Sequence, residues 1–416
     1  MLKEDRPTRR KECTNARRFV VSGQWIVACW CLVFALLCYG YGCAETTELS
    51  AAVPTAAPIV MIDAKVTDTP ANKAEAKSSQ EQQPMPTVVP TAMPTATPRS
   101  VSLTTGKRLT EGSVYQPVLV VIGNAPQTRP QTGLMQADII YEFAMDRTDN
   151  TTRLVAVFSD QYPQRVGPVQ DARIYFTDLQ REWDGMFIYN GYPDEPTYPA
   201  IDEGYIAIPV NYKTDNQQFF VQDRTVSDLP ENAVFCALSE MTDALYGKYS
   251  PAAEQRFVFA PNHQYAGSKP IEKVGLPFMS SDVSRIEFIY KKEDNRLYRY
   301  EHNSKDALVE SKTLTANADG LTFTSEPVSV QNLIVQYVKY TNASGTYRDA
   351  KLTGTGKCDY FINGQYVCGT WKRKSLSEPT TYLTKDGNPL ILEPGNTWIA
   401  LQTGLKDIKI RRLSTE

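Results

Sequence analysis

Arginines and carboxylates crowd one stretch of this 416-residue chain: Arg129, Asp138, Glu142, Arg153, Arg165, Asp171, Arg173 and Asp178. A guanidinium offers paired donors to a carboxylate or phosphate, and a helix start beside it adds exposed N–H groups. Arg129, Arg153, Arg165 and Arg173, with Asp171 and Glu142, are therefore the candidate ligand-binding residues, Arg153 and Arg173 foremost. Opposite charges in such numbers also pair with one another and pin strands to a helix. That plainer account outweighs the clamp.

A second concentration lies in residues 189–205, where tyrosines and prolines surround Asp194, Glu195, Asp202 and Glu203. Aromatic platforms beside acids could hold a wall glycan, and glycoside cleavage needs two suitably spaced carboxylates. Adjacent acids in a Pro-rich loop are more often simply solvated, and the EF-hand spacing for calcium is missing. Other chemistries fare worse. His263 and His302 are the sole histidines, and no cysteine or histidine pair has zinc-ligand spacing. Residues 353–357, Thr-Gly-Thr-Gly-Lys, bring their glycines too close together for a phosphate loop and run into a hairpin. No metal and no cofactor is expected.

The elements that must position these groups follow from hydrophobic periodicity. Residues 116–122, 138–143, 153–158 and 186–189 read as strands, and 171–183 as a helix burying Ala172, Tyr175, Phe176, Leu179 and Trp183, with Asp171 as its cap. A second helix is expected within 231–249. From residue 283 the texture turns to alternation and turns: 285–290, 296–300, 328–340, 358–371 and 397–401. The expected class is α+β: a mixed α/β-containing N-terminal domain over 112–262, then a mostly antiparallel β domain over 280–412, joined by an irregular stretch near residues 261–277.

The ends are of another kind. Seven Lys/Arg against three acids in the first 18 residues precede an apolar run, 19–42, in which Gln24 is the one strongly polar side chain. As a helix that run would be about 36 Å long, enough to cross a hydrocarbon core of roughly 30 Å with the basic flank inside. Residues 1–43 are thus an export and anchor segment, with Gly42-Cys43 as a lipidation site; an uncleaved helix is the alternative anchor. Residues 44–111 read as a disordered Ala/Thr/Pro tether. Beyond residue 42 there are 37 basic and 44 acidic side chains, a balance of −7 that offers nucleic acid no bulk attraction.

Past the leader remain Cys236, Cys358 and Cys368. A three-residue turn at Asn363-Gly364 would set Cys358 opposite Cys368 for a disulfide; a two-residue turn would pair Cys358 with Gly369 and send the thiols to opposite faces. Both remain open at this point. Cys236 reads as a buried small hydrophobe.

Three blocks of the chain resemble the YerB-like family of bacterial lipoproteins, whose domain of unknown function has N- and C-terminal parts. They are Asn124 with residues 129–134 and 137–142; Thr152-Arg153 with 167–176, Gly-Pro-Val-Gln-Asp-Ala-Arg-Ile-Tyr-Phe; and 356–372 with 394–398. The resemblance covers most of residues 112–405. It implies an envelope location and a two-part layout, and no reaction. The chain departs from the family pattern at Gln170-Asp171, at 145–150 and at 189–192, so any family site there is altered. The resulting expectation is a non-enzymatic, membrane-anchored extracytoplasmic lipoprotein that binds a cell-wall polymer or an envelope protein. Its competitor is a wall-active enzyme using the carboxylates of residues 189–205.

Overall fold

Val118–Gly123, Ile139–Ala144 and Met186–Tyr189 are buried at every position, so each apolar run must be covered on both faces. The computed structural model describes residues 101–412 except 146–150, 193–199, 202–205, 248, 279–284, 304, 318–319, 321, 345–346 and 405–407. Those runs are interior strands of a mixed, 16-stranded sheet. In sheet order, Asn332–Tyr337, Thr397–Gln402, Ile139–Ala144, Thr152–Phe158, Val118–Gly123, Met186–Tyr189 and Ile208–Asn211 lie side by side. Because side chains alternate across a strand, Val118, Val120 and Ile122 enter one core, and Leu119 and Val121 the other, on the opposite face.

Thr397–Gln402, from near the chain's end, inserts between Asn332–Tyr337 and Ile139–Ala144 and runs parallel to both. Trp398 thereby stands between Leu333 and Ile140. The segments 112–262 and 280–412 are consequently strands of one sheet. The second is mostly antiparallel, through the meander Lys269–Pro277, Arg285–Lys291, Arg296–His302 and the hairpin Gly354–Ile362, Gln365–Arg373. With two fully described α-helices set among 25 strands in the described residues, the fold is mostly β with mixed sheets.

The first helix, Ile174–Trp183, buries Tyr175, Phe176, Leu179 and Trp183 in the second core as its periodicity requires. It begins later than expected, its N-cap is Arg173, and no side chain caps it. Asp171 is not the cap, because its carboxylate is taken by two guanidinium groups. The second, Leu238–Leu245, is shorter than the expected window, whose first half forms Pro230–Asn232 and the strand Val234–Cys236. Two further differences bear on the site. The stretch expected to be irregular holds the strand Lys269–Pro277, which buries Ile271, Val274 and Leu276 and keeps its prolines near its ends. And the chain packs from Val101, inside the segment read as tether: Val101 bridges Arg108, while Ser102, Thr104 and Thr105 are buried.

The turn at Asn363-Gly364 has two residues at positive φ, 54° and 67°, so Cys358 faces Gly369 and Cys368 faces Asp359. The Cys358–Cys368 disulfide does not form, since neighbouring register positions point to opposite faces. Cys358 is buried and Cys368 exposed. A Cβ at Gly369 would lie 1.9 Å from the Leu383 carbonyl oxygen, so the adjoining strand can approach only a glycine there. Burial raises the Cys236 thiol to about 12 and the Cys358 thiol well above its ordinary value. Of these three thiols, a native-state alkylating reagent should modify Cys368 alone; peptide mapping that recovers Cys358 linked to Cys368 would refute this register.

Candidate functional site

The candidate arginines do not converge. Arg153 and Arg173 both grip Asp171, one carboxylate oxygen each. Arg153 Nη1 also donates to the Asp171 carbonyl at 3.2 Å, and Arg173 Nη1 to the Ala172 carbonyl at 3.2 Å. Arg165 turns away to Asp223 at 2.6 Å, its guanidinium 4.2 Å over the Phe235 ring. Arg129 pairs with Glu301 and donates to the Asn124 carbonyl.

Glu142, with no exposed surface, collects the densest set of donors. Arg299 Nη2 reaches its Oε1 at 3.0 Å, Thr152 Oγ1 at 2.7 Å and Asn124 Nδ2 at 3.2 Å, while Trp398 Nε1 reaches Oε2 at 3.0 Å. Arg299 in turn pairs with Glu301. This chain of charges ties the N-terminal strands to the meander of the second segment. Glu182 makes a similar tie from the helix: Arg373 Nη1 lies 3.2 Å from Oε2, and the Thr380 N–H donates to Oε1 at 2.7 Å. Arg373 is therefore buried. The acids Asp194, Glu195, Asp202 and Glu203 lie outside the described residues, as do residues 1–100 with Cys43.

A polar cleft of about 390 Å³ opens elsewhere, and none of the candidate ligand-binding residues lines it. One wall is the strap that follows the tether, with Ser102, Thr105, Lys107, Arg108 and Leu109. Met135, Gln136 and Asp138 come from the turn into Ile139–Ala144; Asp160, Gln161, Tyr162 and Pro163 follow the strand Thr152–Phe158. Asp138 Oδ2 accepts from Ser159 Oγ at 2.6 Å and from Thr104 Oγ1 at 2.9 Å. The Ser159 hydroxyl also lies 3.3 Å from Asp160 Oδ2, so one hydroxyl stands between two carboxyls. Desolvation, with the Asp160 carboxylate nearby, raises the Asp138 carboxyl to about 7. Lys107 and Arg108 are exposed and make no ion pair among the described residues. Among those residues no three His, Cys, Asp or Glu side chains cluster as a metal site. Tyr162 is held in place by donation to the Gln116 carbonyl at 2.7 Å.

Sequence reasoning counted Asp138 among the charges but sought its partners among the arginines. Its partners are hydroxyls, and Lys107 and Arg108 were hidden in a stretch whose composition resembled the tether. The one local signal was a carboxylate at the threshold of a fully buried strand, where a charge is costly unless something holds it.

Fold and site together define a mostly β protein of two interlocked segments, with a charged interior paired within itself and an open polar cleft. The chain belongs to the DUF3048 family: residues 104–248 match its "Protein of unknown function (DUF3048) N-terminal domain" and 275–399 the corresponding C-terminal domain. It is 29% identical over 322 residues to the Bacillus subtilis (strain 168) protein named "Putative lipoprotein YerB", covering 74% of this chain and 87% of that one. The crystal structure of YerB from Bacillus subtilis superposes with a TM-score of 0.61, at 24% identity, over 76% of this chain and 100% of that chain, which supports the fold alone. No helix among the described residues is long and apolar enough to cross a membrane.

Proposed function

We propose that the protein is a membrane-anchored, extracytoplasmic ligand-binding protein of the cell envelope, with its site in the cleft beside Asp138. The observation that carries the binding reading is the contrast in charge pairing. Arg129, Arg153, Arg165 and Arg173 are engaged within the fold, whereas Lys107 and Arg108 stand at an open cleft without ion pairs among the described residues. Unpaired cations beside a carboxyl held near neutrality are what a binding site requires and a scaffold does not. The envelope reading is supported by the basic, apolar leader, by Gly42-Cys43, and by the relation to a protein named as a lipoprotein. In this reading the tether runs on in the chain into the strap that walls the cleft.

Location is tested through Cys368, which is exposed. A membrane-impermeant maleimide applied to intact cells should label Cys368 before lysis; labelling only after lysis would overturn the proposal. In the same preparation, mass spectrometry should recover a mature N-terminus that begins at diacylglyceryl-Cys43. Recovery of peptides from residues 1–42 would replace the lipid by the helix as anchor.

A further inference from the structure

We propose that the cleft beside Asp138 receives a small zwitterion, an α-amino acid or dipeptide. Its ammonium would sit against the Asp138 and Asp160 carboxyls, and its carboxylate against Lys107 and Arg108. The assignment rests on the binding reading above and supplies its ligand chemistry.

Size and charge both point this way. A cleft of about 390 Å³ falls within the range of small-molecule sites, roughly 300–1,000 Å³. Lys107 and Arg108 from the strap line the same cleft as the carboxyls of Asp138 and Asp160, so the lining carries both signs of charge. A ligand bearing one charge would leave half of that lining uncompensated. A divalent cation would find two carboxyls beside two positive side chains, with no third His, Cys, Asp or Glu grouped with them among the described residues. A phosphate-rich ligand would meet Asp160, whose carboxylate has, among the described residues, one weak hydroxyl contact at 3.3 Å. A zwitterion satisfies both ends at once, and bidentate recognition of its carboxylate suits a guanidinium. Leu109, Met135 and Pro163 leave apolar surface for a short side chain.

The test is calorimetric titration of the full chain in detergent with alanine, glutamate, lysine and alanyl-alanine. Two analogues each lack one charge: N-acetylalanine and alaninamide. At least one zwitterion should bind saturably, and each analogue tenfold or more weaker than alanine or its dipeptide. A stronger response to the dipeptide identifies a peptide as the source of the ligand; a stronger response to a single amino acid identifies the free metabolite. Lys107→Gln with Arg108→Gln should abolish the discrimination against alaninamide, and Asp160→Asn the discrimination against N-acetylalanine. Both changes fall at the cleft surface, and an unchanged unfolding midpoint confirms that the variants fold. Absence of saturable heat across the panel, or analogues that bind as well as their parents, overturns the assignment. Either result leaves the location test with Cys368 standing, so the two failures are distinguishable.

Discussion

Arg299→Met should destabilise the folded unit by roughly 3–5 kcal/mol, the usual cost of removing one partner from a buried ion pair. Both members are out of water: side-chain exposure is 3% for Arg299 and none for Glu142. Once the guanidinium is gone, the Glu142 carboxylate keeps its neutral donors Thr152, Asn124 and Trp398 but loses its counter-charge. Arg129 and Glu301 would be left to rearrange around the gap. Removing both charges, Glu142→Leu with Arg299→Met, should cost less than the two single changes summed, because neither then strands the other. Urea unfolding of the three variants checks this. If Arg299→Met lowers stability by less than about 1 kcal/mol, the pair is not the pin between the two segments that its geometry suggests.

Asp138→Asn should raise stability at pH 8 and remove a slope expected of the parent protein between about pH 4 and 7. The carboxyl titrates near 7 when folded, against about 3.9 in an unfolded chain. Within that window the folded state holds the proton and the unfolded state does not, so stability falls as pH rises and stays low above 7. The groups facing this carboxyl are the Thr104 and Ser159 hydroxyls, the Asp160 carboxylate, Lys107 and the Tyr162 phenol. An asparagine carbonyl can accept from the same two hydroxyls without carrying charge. The gain at pH 8 is at most roughly 4 kcal/mol, the value of a three-unit shift at 1.36 kcal/mol per unit. Other carboxylates titrate over the same range, so the diagnostic is the difference between variant and parent thermal midpoints across pH 4.5–8. Parallel curves would show that Asp138 is not the group responsible. A stabilising change at a cleft carboxyl would also mean that the native residue is retained at a cost to stability, as functional groups commonly are.

Much of the local structure was legible before any coordinates. Runs such as Val118–Gly123 and Ile139–Ala144 are apolar at nearly every position because the sheet covers both of their faces. The helix face from Tyr175 to Trp183 and the turn at Asn363-Gly364 were visible for the same reason: each depends on residues a few positions apart. Lys269–Pro277 was missed because its prolines and charged positions mask the alternation of Ile271, Val274 and Leu276, which is evident only once a partner strand covers one face.

What the chain could not reveal alone is who meets whom. Arginines and acids were correctly grouped in the sequence, yet Glu142 chose Arg299, 157 residues away, and Asp171 took both Arg153 and Arg173. Arg296–His302 and Ile139–Ala144 are not neighbours in the sheet order, so the first of those choices is a side-chain contact across the packed fold and not a product of strand pairing. The cleft likewise exists only because the strap at Val101–Arg108 folds back over the threshold of Ile139–Ala144. Periodicity, turn chemistry and the character of the leader are properties of neighbouring residues, so the sequence determined them. Charge partners and cavities depend on long-range packing, where many pairings satisfy the same local pattern and only the packed whole selects among them.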